Sequence, residues 1–275
     1  MAMRYMDPKT DFGFKRLFGS EDSKDILKKF LYDMLALPHP IAELSYLPTE
    51  QLPRSPIDRA SIYDLYCVDD TGQHFIVEMQ RNAQHHYRER ALYYITFPIT
   101  QQAQKGDQAP FALPPLYSLN LLNFRIDDQP THLRRVQLAE TATGRVFYDK
   151  LTFVYVELPK FQKREHELSS ETDKWLYLLR HMPELSDIPR ELQQAPYTQV
   201  FHLAELLMLS ETERYYYEGS LKVEWDRVGQ IETAREEGRL AGLRDTVRRM
   251  RAAGLDTAAI AQFTGLSVAE VGGLS

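Results

Sequence analysis

The chain has 275 residues, 43% hydrophobic and 26% charged, with a formal net charge of −6. That length supports one large domain or two small ones around a sizeable core, and the charge argues against a protein coated in basic surface while allowing local basic patches. No apolar run approaches the roughly 20 residues of a membrane helix, and Met1-Ala2-Met3-Arg4 leads into polar sequence, so the expectation is a cytoplasmic protein with no membrane partner.

Cys67 stands alone, which excludes a disulfide framework or thiolate zinc site and points to a buried strand residue. After the polar start DPKTDFGFKRLFGSED, residues near 22–37 place Ile26, Leu27, Phe30, Leu31, Met34 and Leu35 at helical spacing, and Pro38 ends the run. Three β-rich runs follow, IAELSYL, SIYDLYCVDD and HFIVEMQ, separated by a stretch with Pro48, Pro53 and Pro56 and by Asp70-Thr71-Gly72. From about Gln84 to Gln104 the pattern is helical, with Tyr87, Ala91, Leu92, Tyr94 and Ile95 as its apolar positions and Pro98 expected to kink it. PLYSLNLLNF is a further buried strand, giving the order α-β-β-β-α-β. A second β run, RVFYDKLTFVYVEL, precedes a mostly helical stretch from about 170 to 228.

The strand FIVEMQ carries Glu78 and Gln80 on one face, because side chains alternate along a strand. Asp70-Thr71-Gly72 suits a three-residue hairpin loop with Gly72 left-handed. That register pairs Asp69 with Gln73 and Val68 with His74, and so sets Asp64 opposite Glu78. Like charges there, with β-carbons roughly 4.5–5.5 Å apart, repel by about 3 kcal/mol at an effective dielectric near 20. A hard divalent cation held by Asp64, Glu78 and the backbone carbonyl of Met79, with waters completing an octahedron, offsets that cost. Solvation of both carboxylates on an open face, or protonation of one, offsets it as well.

Asp64 followed by Glu78-Met79-Gln80 after a hairpin, within this element order, resembles the PD-(D/E)XK nuclease core. MDPKTDFGFKRLFG and RALYYITFPITQQAQKGD are similar to the recombination-promoting nuclease (Rpn) or PD-(D/E)XK transposase-like branch. The resemblance covers roughly residues 4–160 well and the rest more loosely. It implies a restriction-endonuclease-like α/β fold, αβββαβ with a mixed central sheet flanked by helices, plus additional C-terminal helices. It further implies Mg2+-dependent cleavage of DNA, with Mn2+ as a substitute, in recombination or mobile-element transfer. Asp64 and Glu78 would hold the metal and Met79 would add its carbonyl. Gln80 stands where the superfamily usually has lysine, so its amide could only orient water or phosphate. The positive charge would then come from Lys15, Arg81, Arg88 or Arg90.

Similar nucleases place an acidic group of the first helix near the metal, which makes Asp11 a supporting candidate with Lys15 one turn away. The structural reading has Asp11 cap a helix whose Phe14, Leu17 and Phe18 enter the core. Adjacent His85 and His86 point about 100° apart on a helix and do not share a metal. Trp175 and Tyr215-Tyr216-Tyr217 fit helix packing better than base stacking.

Near the C-terminus, Arg239, Arg244, Arg248, Arg249 and Arg251 against Asp245 make a basic helix, as on a DNA-facing surface. LDTAAIAQFTGLSVAEVGGL resembles a helix-turn-helix: Ala261 at the helix contact, Gly265 in the turn, Leu266 and Val271 behind, and Ser267 with Glu270 as a capping box. A short docking or dimerisation motif, giving a homo-oligomer through the C-terminal helices, fits equally well. The expected organisation is a nuclease core over 1–160, a packed helical extension over 161–228, and a charged helix with its tail over 229–275. The alternative to an enzyme is a DNA-binding or assembly protein that keeps the fold without efficient chemistry.

Overall fold

A computed structural model describes residues 3–51, 61–84, 86–103 and 112–274. His85, Pro53, Pro56 and part of the ITQQAQKGD motif fall outside these residues. The elements in chain order are α1 (Asp11–Phe18), α2 (Lys24–Leu35), β1 (Leu44–Tyr46), β2 (Glu50–Gln51), β3 (Ser61–Ile62), β4 (Leu65–Asp69), β5 (His74–Gln80), α3 (Tyr87–Ala103) and β6 (Leu116–Leu122). There follow β7 (Leu133–Ala139), β8 (Val146–Glu157), α4 (Glu171–His181), α5 (Tyr197–Ala204), α6 (Glu211–Ala252), α7 (Thr257–Thr264) and α8 (Val268–Gly273). The chain divides into two compact units, Met1–Tyr217 and Glu218–Ser275. Among the described residues no helix is long and apolar enough to cross a membrane.

The first unit is built on a six-stranded sheet in the order β1-β4-β5-β6-β8-β7; β2 and β3 pair separately. β4 runs antiparallel to its two neighbours β1 and β5, β5, β6 and β8 run parallel, and β7 returns antiparallel to β8. The mixed sheet flanked by helices is the expected PD-(D/E)XK-like α/β architecture. The parallel step from β5 to β6 is made by α3, as a parallel pairing requires a crossover.

On the α3 side of the sheet, Ile76 of β5 packs with Tyr87, Ala91 and Ile95 of α3, one turn apart along the helix, and with Tyr66, Leu116 and Phe153. Burial of each large side chain contributes about 1.5–3 kcal/mol. Pro98 lies inside α3 without ending it. Having no N–H, it cannot bond the carbonyl of Tyr94, and the Tyr63 hydroxyl donates to that carbonyl at 2.8 Å instead. Elsewhere, Phe18, Phe30, Trp175 and Tyr197 form a ring-to-ring chain that ties α1, α2, α4 and α5 together.

Within the start motif, Thr10, not Asp11, caps α1: its Oγ1 accepts the Gly13 N–H at 3.0 Å and donates to the Asp7 carbonyl at 2.8 Å. Asp7 pairs with Lys9 at 2.9 Å and Arg81 at 3.1 Å, while its N–H donates to the Tyr217 hydroxyl at 2.9 Å. Gly13 is required because a β-carbon there would lie 2.2 Å from the Asp7 carbonyl oxygen. The motif is therefore largely a structural lock. Of the three consecutive tyrosines only Tyr217 is buried, and Tyr215 and Tyr216 are exposed.

The strand β7 was not anticipated from the sequence. LRRVQLA sits at the sheet edge with most of its side chains in solvent, so it carries little hydrophobic signal.

Candidate active site

The β4–β5 hairpin forms in the register set by its loop. Val68 faces His74 and Leu65 faces Val77, the Asp69 N–H bonds the Gln73 carbonyl at 3.0 Å, and Gly72 has φ +83°. Ladder pairing stops at Leu65, and Asp64 occupies a bend just before it. There its Oδ2 accepts the Met79 N–H at 2.6 Å, which binds the bend to the strand carrying Glu78. Sequence alternation puts Glu78 and Gln80 on the side of Ile76, the face covered by α3.

Both carboxylates are poorly solvated. Burial, reinforced by the nearby Asp11 charge, pushes the Asp64 carboxyl up to about 6 against the pull of the Met79 N–H, Lys15 and Arg90. Glu78 is 7% exposed. Burial and then the Asp64 charge drive it well above the usual carboxylate range, opposed by Arg90 and the Asp64 backbone N–H. Glu78 Oε1 is buried and has no hydrogen-bond partner. An orphaned buried acceptor beside a second, half-buried carboxylate is a site that favours either a proton or a cation.

The four candidate cations go to different places. Arg81 pairs with Asp7 at 3.1 Å. Arg88 pairs with Asp127 at 3.0 Å, in a network that also holds Arg134, Lys160 and the fully buried Glu157. Lys15 pairs with Asp11 at 2.8 Å, and both act on the ionisation of Asp64 from the rim. Arg90 reaches Gln80, its Nη2 donating to Gln80 Oε1 at 3.4 Å. It also donates to Gln84 Oε1 and lies 5.0 Å from the centre of the Tyr94 ring, and its Nε is buried without a hydrogen-bond partner. Its charge favours the ionised form of both Asp64 and Glu78 and so lowers their pKa.

Three further polar residues share this recess and were not singled out from sequence. Tyr87 donates to Asn120 Oδ1 at 2.8 Å, and Asn120 Nδ2 donates to the Ser118 carbonyl and hydroxyl at 3.0 Å each. With Glu78 and Arg90 they line a recess of about 10 Å3, the size of one water. The signal was available: Ser118 and Asn120 are two polar residues at alternate positions in an otherwise apolar strand, as Glu78 and Gln80 are. Asn120 sits directly beside Glu78 in the parallel register.

Among the described residues no group of three or more His, Cys, Asp or Glu side chains is arranged to hold a metal. The donor set is two carboxylates, which suits a cation that keeps several waters, as magnesium does, better than a closed zinc site. His86 is exposed and lies 3.9 Å from Glu89, away from both carboxylates. The tail arginines belong to the second unit, where Arg249 pairs with Asp245 at 2.7 Å.

No curated protein and no solved structure matches the chain. Residues 8–234 match the family described as PD-(D/E)XK nuclease family transposase, a span that includes most of the start motif, the hairpin with Asp64 and Glu78, and the α3 crossover with Arg90. The chain belongs to the PD-(D/E)XK nuclease family transposases.

Proposed function

We propose that the protein is a metal-dependent DNA endonuclease acting in recombination or mobile-element transfer, with Asp64 and Glu78 as the metal ligands. The observation that carries this reading is the orphaned, buried Glu78 Oε1 beside the half-buried Asp64 carboxylate. Two such groups, each holding its proton more tightly than usual, would give up protons when a divalent cation binds, so loading should strengthen as pH rises. Asp64, Glu78 and the Met79 carbonyl would hold Mg2+, or Mn2+ in its place. When bound, it polarises a phosphate oxygen and acidifies a water.

The chain's own residues do the rest. Arg90 supplies the positive charge that lysine would supply at position 80, and stabilises negative charge developing on the phosphate. Gln80 spends its Oε1 on Arg90, which leaves its Nε2 as the donor toward water or a phosphate oxygen. Lys15 contributes at the rim, with Asp11 setting its position. Core contacts to metal and phosphate are blind to base sequence. In this reading residues 1–160 carry the chemistry, 161–228 form a helical extension, and 229–275 form the charged tail.

The test is nicking of supercoiled plasmid by purified protein in Mg2+ and Mn2+. Activity should vanish in Asp64→Ala and in Glu78→Ala while duplex binding in EDTA persists. Wild-type protein that leaves plasmid intact in both metals, yet binds duplex, would show an assembly protein instead.

A further inference from the structure

The second unit concentrates positive charge on a face that the catalytic reading does not use. Between Arg239 and Ala252, α6 carries five arginines and one aspartate, in a chain of net charge −6. Arg244, Arg248 and Arg251 fall on one side of the helix, separated along its axis by about 6 and about 4.5 Å. They line a groove of about 470 Å3 with Ala241, Asp245 and Leu274. Its architecture is fixed by a small core of Val247, Ile260, Ala261 and Val271, which packs α7 and α8 against α6.

The groove is braced from within. Asp245 holds Arg248 and, at 2.7 Å, Arg249. Arg251 donates to the Val271 carbonyl at 2.9 Å, which ties the basic row to α8. Arg244 makes no ion pair among the described residues.

The helix-turn-helix arrangement itself offers little to read bases with. α8 spans Val268–Gly273, and its side chains are Val, Ala, Glu, Val and two glycines, none of which is a cation, amide or hydroxyl. Its capping residue, Ser267, is already bonded to Glu270 at 2.7 Å, and that carboxylate at the helix start repels phosphate. Base discrimination needs donors that this helix lacks.

We propose that the groove of Arg244, Arg248 and Arg251 seats the phosphodiester backbone of duplex DNA as a sequence-blind anchor. A row of guanidinium forks complements a linear run of phosphates, each fork able to bond two oxygens. The apolar floor of Ala241 and Leu274 suits the sugar rather than a charged side chain. The groove has no aromatic anchor of the kind that dominates protein interfaces. The inference concerns binding alone and does not rest on cleavage.

The test uses the full chain in EDTA and a labelled duplex, with anisotropy measured across a salt series. Replacing Arg244→Ala together with Arg248→Ala should lower affinity about tenfold or more and flatten the log–log salt slope by about 1.8, or about 0.9 for each phosphate no longer neutralised. Arg251 is spared because its bond to Val271 is structural. Arg244→Lys with Arg248→Lys should retain the slope, which guards against loss of fold. Arg239→Ala with Arg249→Ala removes the same charge outside the groove and should change affinity by no more than about twofold. An equal loss in that control, unchanged binding by the groove variant, or a preference of wild type for poly-glutamate over duplex overturns the proposal. Because the readout is metal-free, failure to nick plasmid would remove the nuclease reading and leave this one standing.

Discussion

A buried Glu78 beside a half-buried Asp64 should weaken the metal-free fold, and Asp64→Asn measures by how much. Lifting the Asp64 carboxyl from its ordinary 3.8 to about 6 corresponds to an upper bound of about 3 kcal/mol, since each tenfold change in a protonation equilibrium is about 1.4 kcal/mol. Residual access of water to the bend brings the expected gain to about 1–3 kcal/mol. The amide oxygen can still accept the Met79 N–H now received by Oδ2, and its NH2 gives the unpartnered Glu78 Oε1 a donor. The native carboxyl holds its proton more tightly than the unfolded one. Its contribution is therefore neutral below 3.8, becomes a growing cost as pH rises toward about 6, and is fully unfavourable above that. In EDTA at pH 8, thermal melting of the variant should rise by several degrees at about 2–4 °C per kcal/mol. Saturating Mg2+ should raise the wild type and not the variant, by about 2.7 kcal/mol at a hundredfold excess over its dissociation constant. A variant that melts at or below wild type at pH 8 in EDTA would refute the argument that these carboxylates are frustrated without a cation.

Three other perturbations probe the supporting structure. Gly13→Ala drives a β-carbon to 2.2 Å from the Asp7 carbonyl oxygen; a loss of about 3 kcal/mol or more is expected in urea unfolding, and a loss below about 1 kcal/mol would mean that the Asp7 lock yields easily. Glu157→Ala strips a fully buried acceptor from Arg134, Lys160 and the Ile126 N–H, which should cost about 3–5 kcal/mol, whereas Phe147→Ser on an 84% exposed side chain should stay within about 0.5 kcal/mol. Gln80→Lys, although it restores the common superfamily residue, sets an ammonium against Arg90 and should lower nicking in wild-type background while rescuing Arg90→Met; equal activity in all backgrounds would dissociate Arg90 from the reaction.

What could be seen in the sequence was what local chemistry decides. Asp70-Thr71-Gly72 fixed the hairpin register because the left-handed glycine and strand alternation act within a few residues, and the structure keeps Val68 opposite His74. Ala261 and Val271 were legible for the same reason: Gly265, at φ +71°, must turn the chain between two short helices. The α1 cap was misplaced by one residue because Thr10 and Asp11 are both good capping residues, and the choice depends on the Asp7 carbonyl folding back onto Thr10. Which arginine faces the carboxylates was not legible at all. Arg81, Arg88 and Arg90 lie close together in the sequence, and only the phase of α3 as it crosses the sheet sends Arg90 to Gln80 while Arg88 turns to Asp127.

That crossing also explains how an amide can stand at position 80 beside the carboxylates. A lysine on β5 would reach its target from the strand, with a flexible stem and one point charge. In the reading proposed above the charge would arrive from the helix that closes the βαβ unit, on a planar fork bonded to Gln80 and Gln84 and lying against Tyr94. Such a fork would lose less freedom on binding phosphate, because its neighbours already orient it. The arrangement makes the charge conditional on α3 packing, since Tyr87, Ala91 and Ile95 set the helix phase through the same core that holds Ile76. Glu78 and Arg90 are thus positioned by one apolar contact surface, with Ile76 two residues before the carboxylate and Ala91 one residue after the guanidinium. A substitution that shifts α3 on that surface would disturb cation and carboxylate together, so the site's electrostatics are a property of the crossover unit rather than of the hairpin alone.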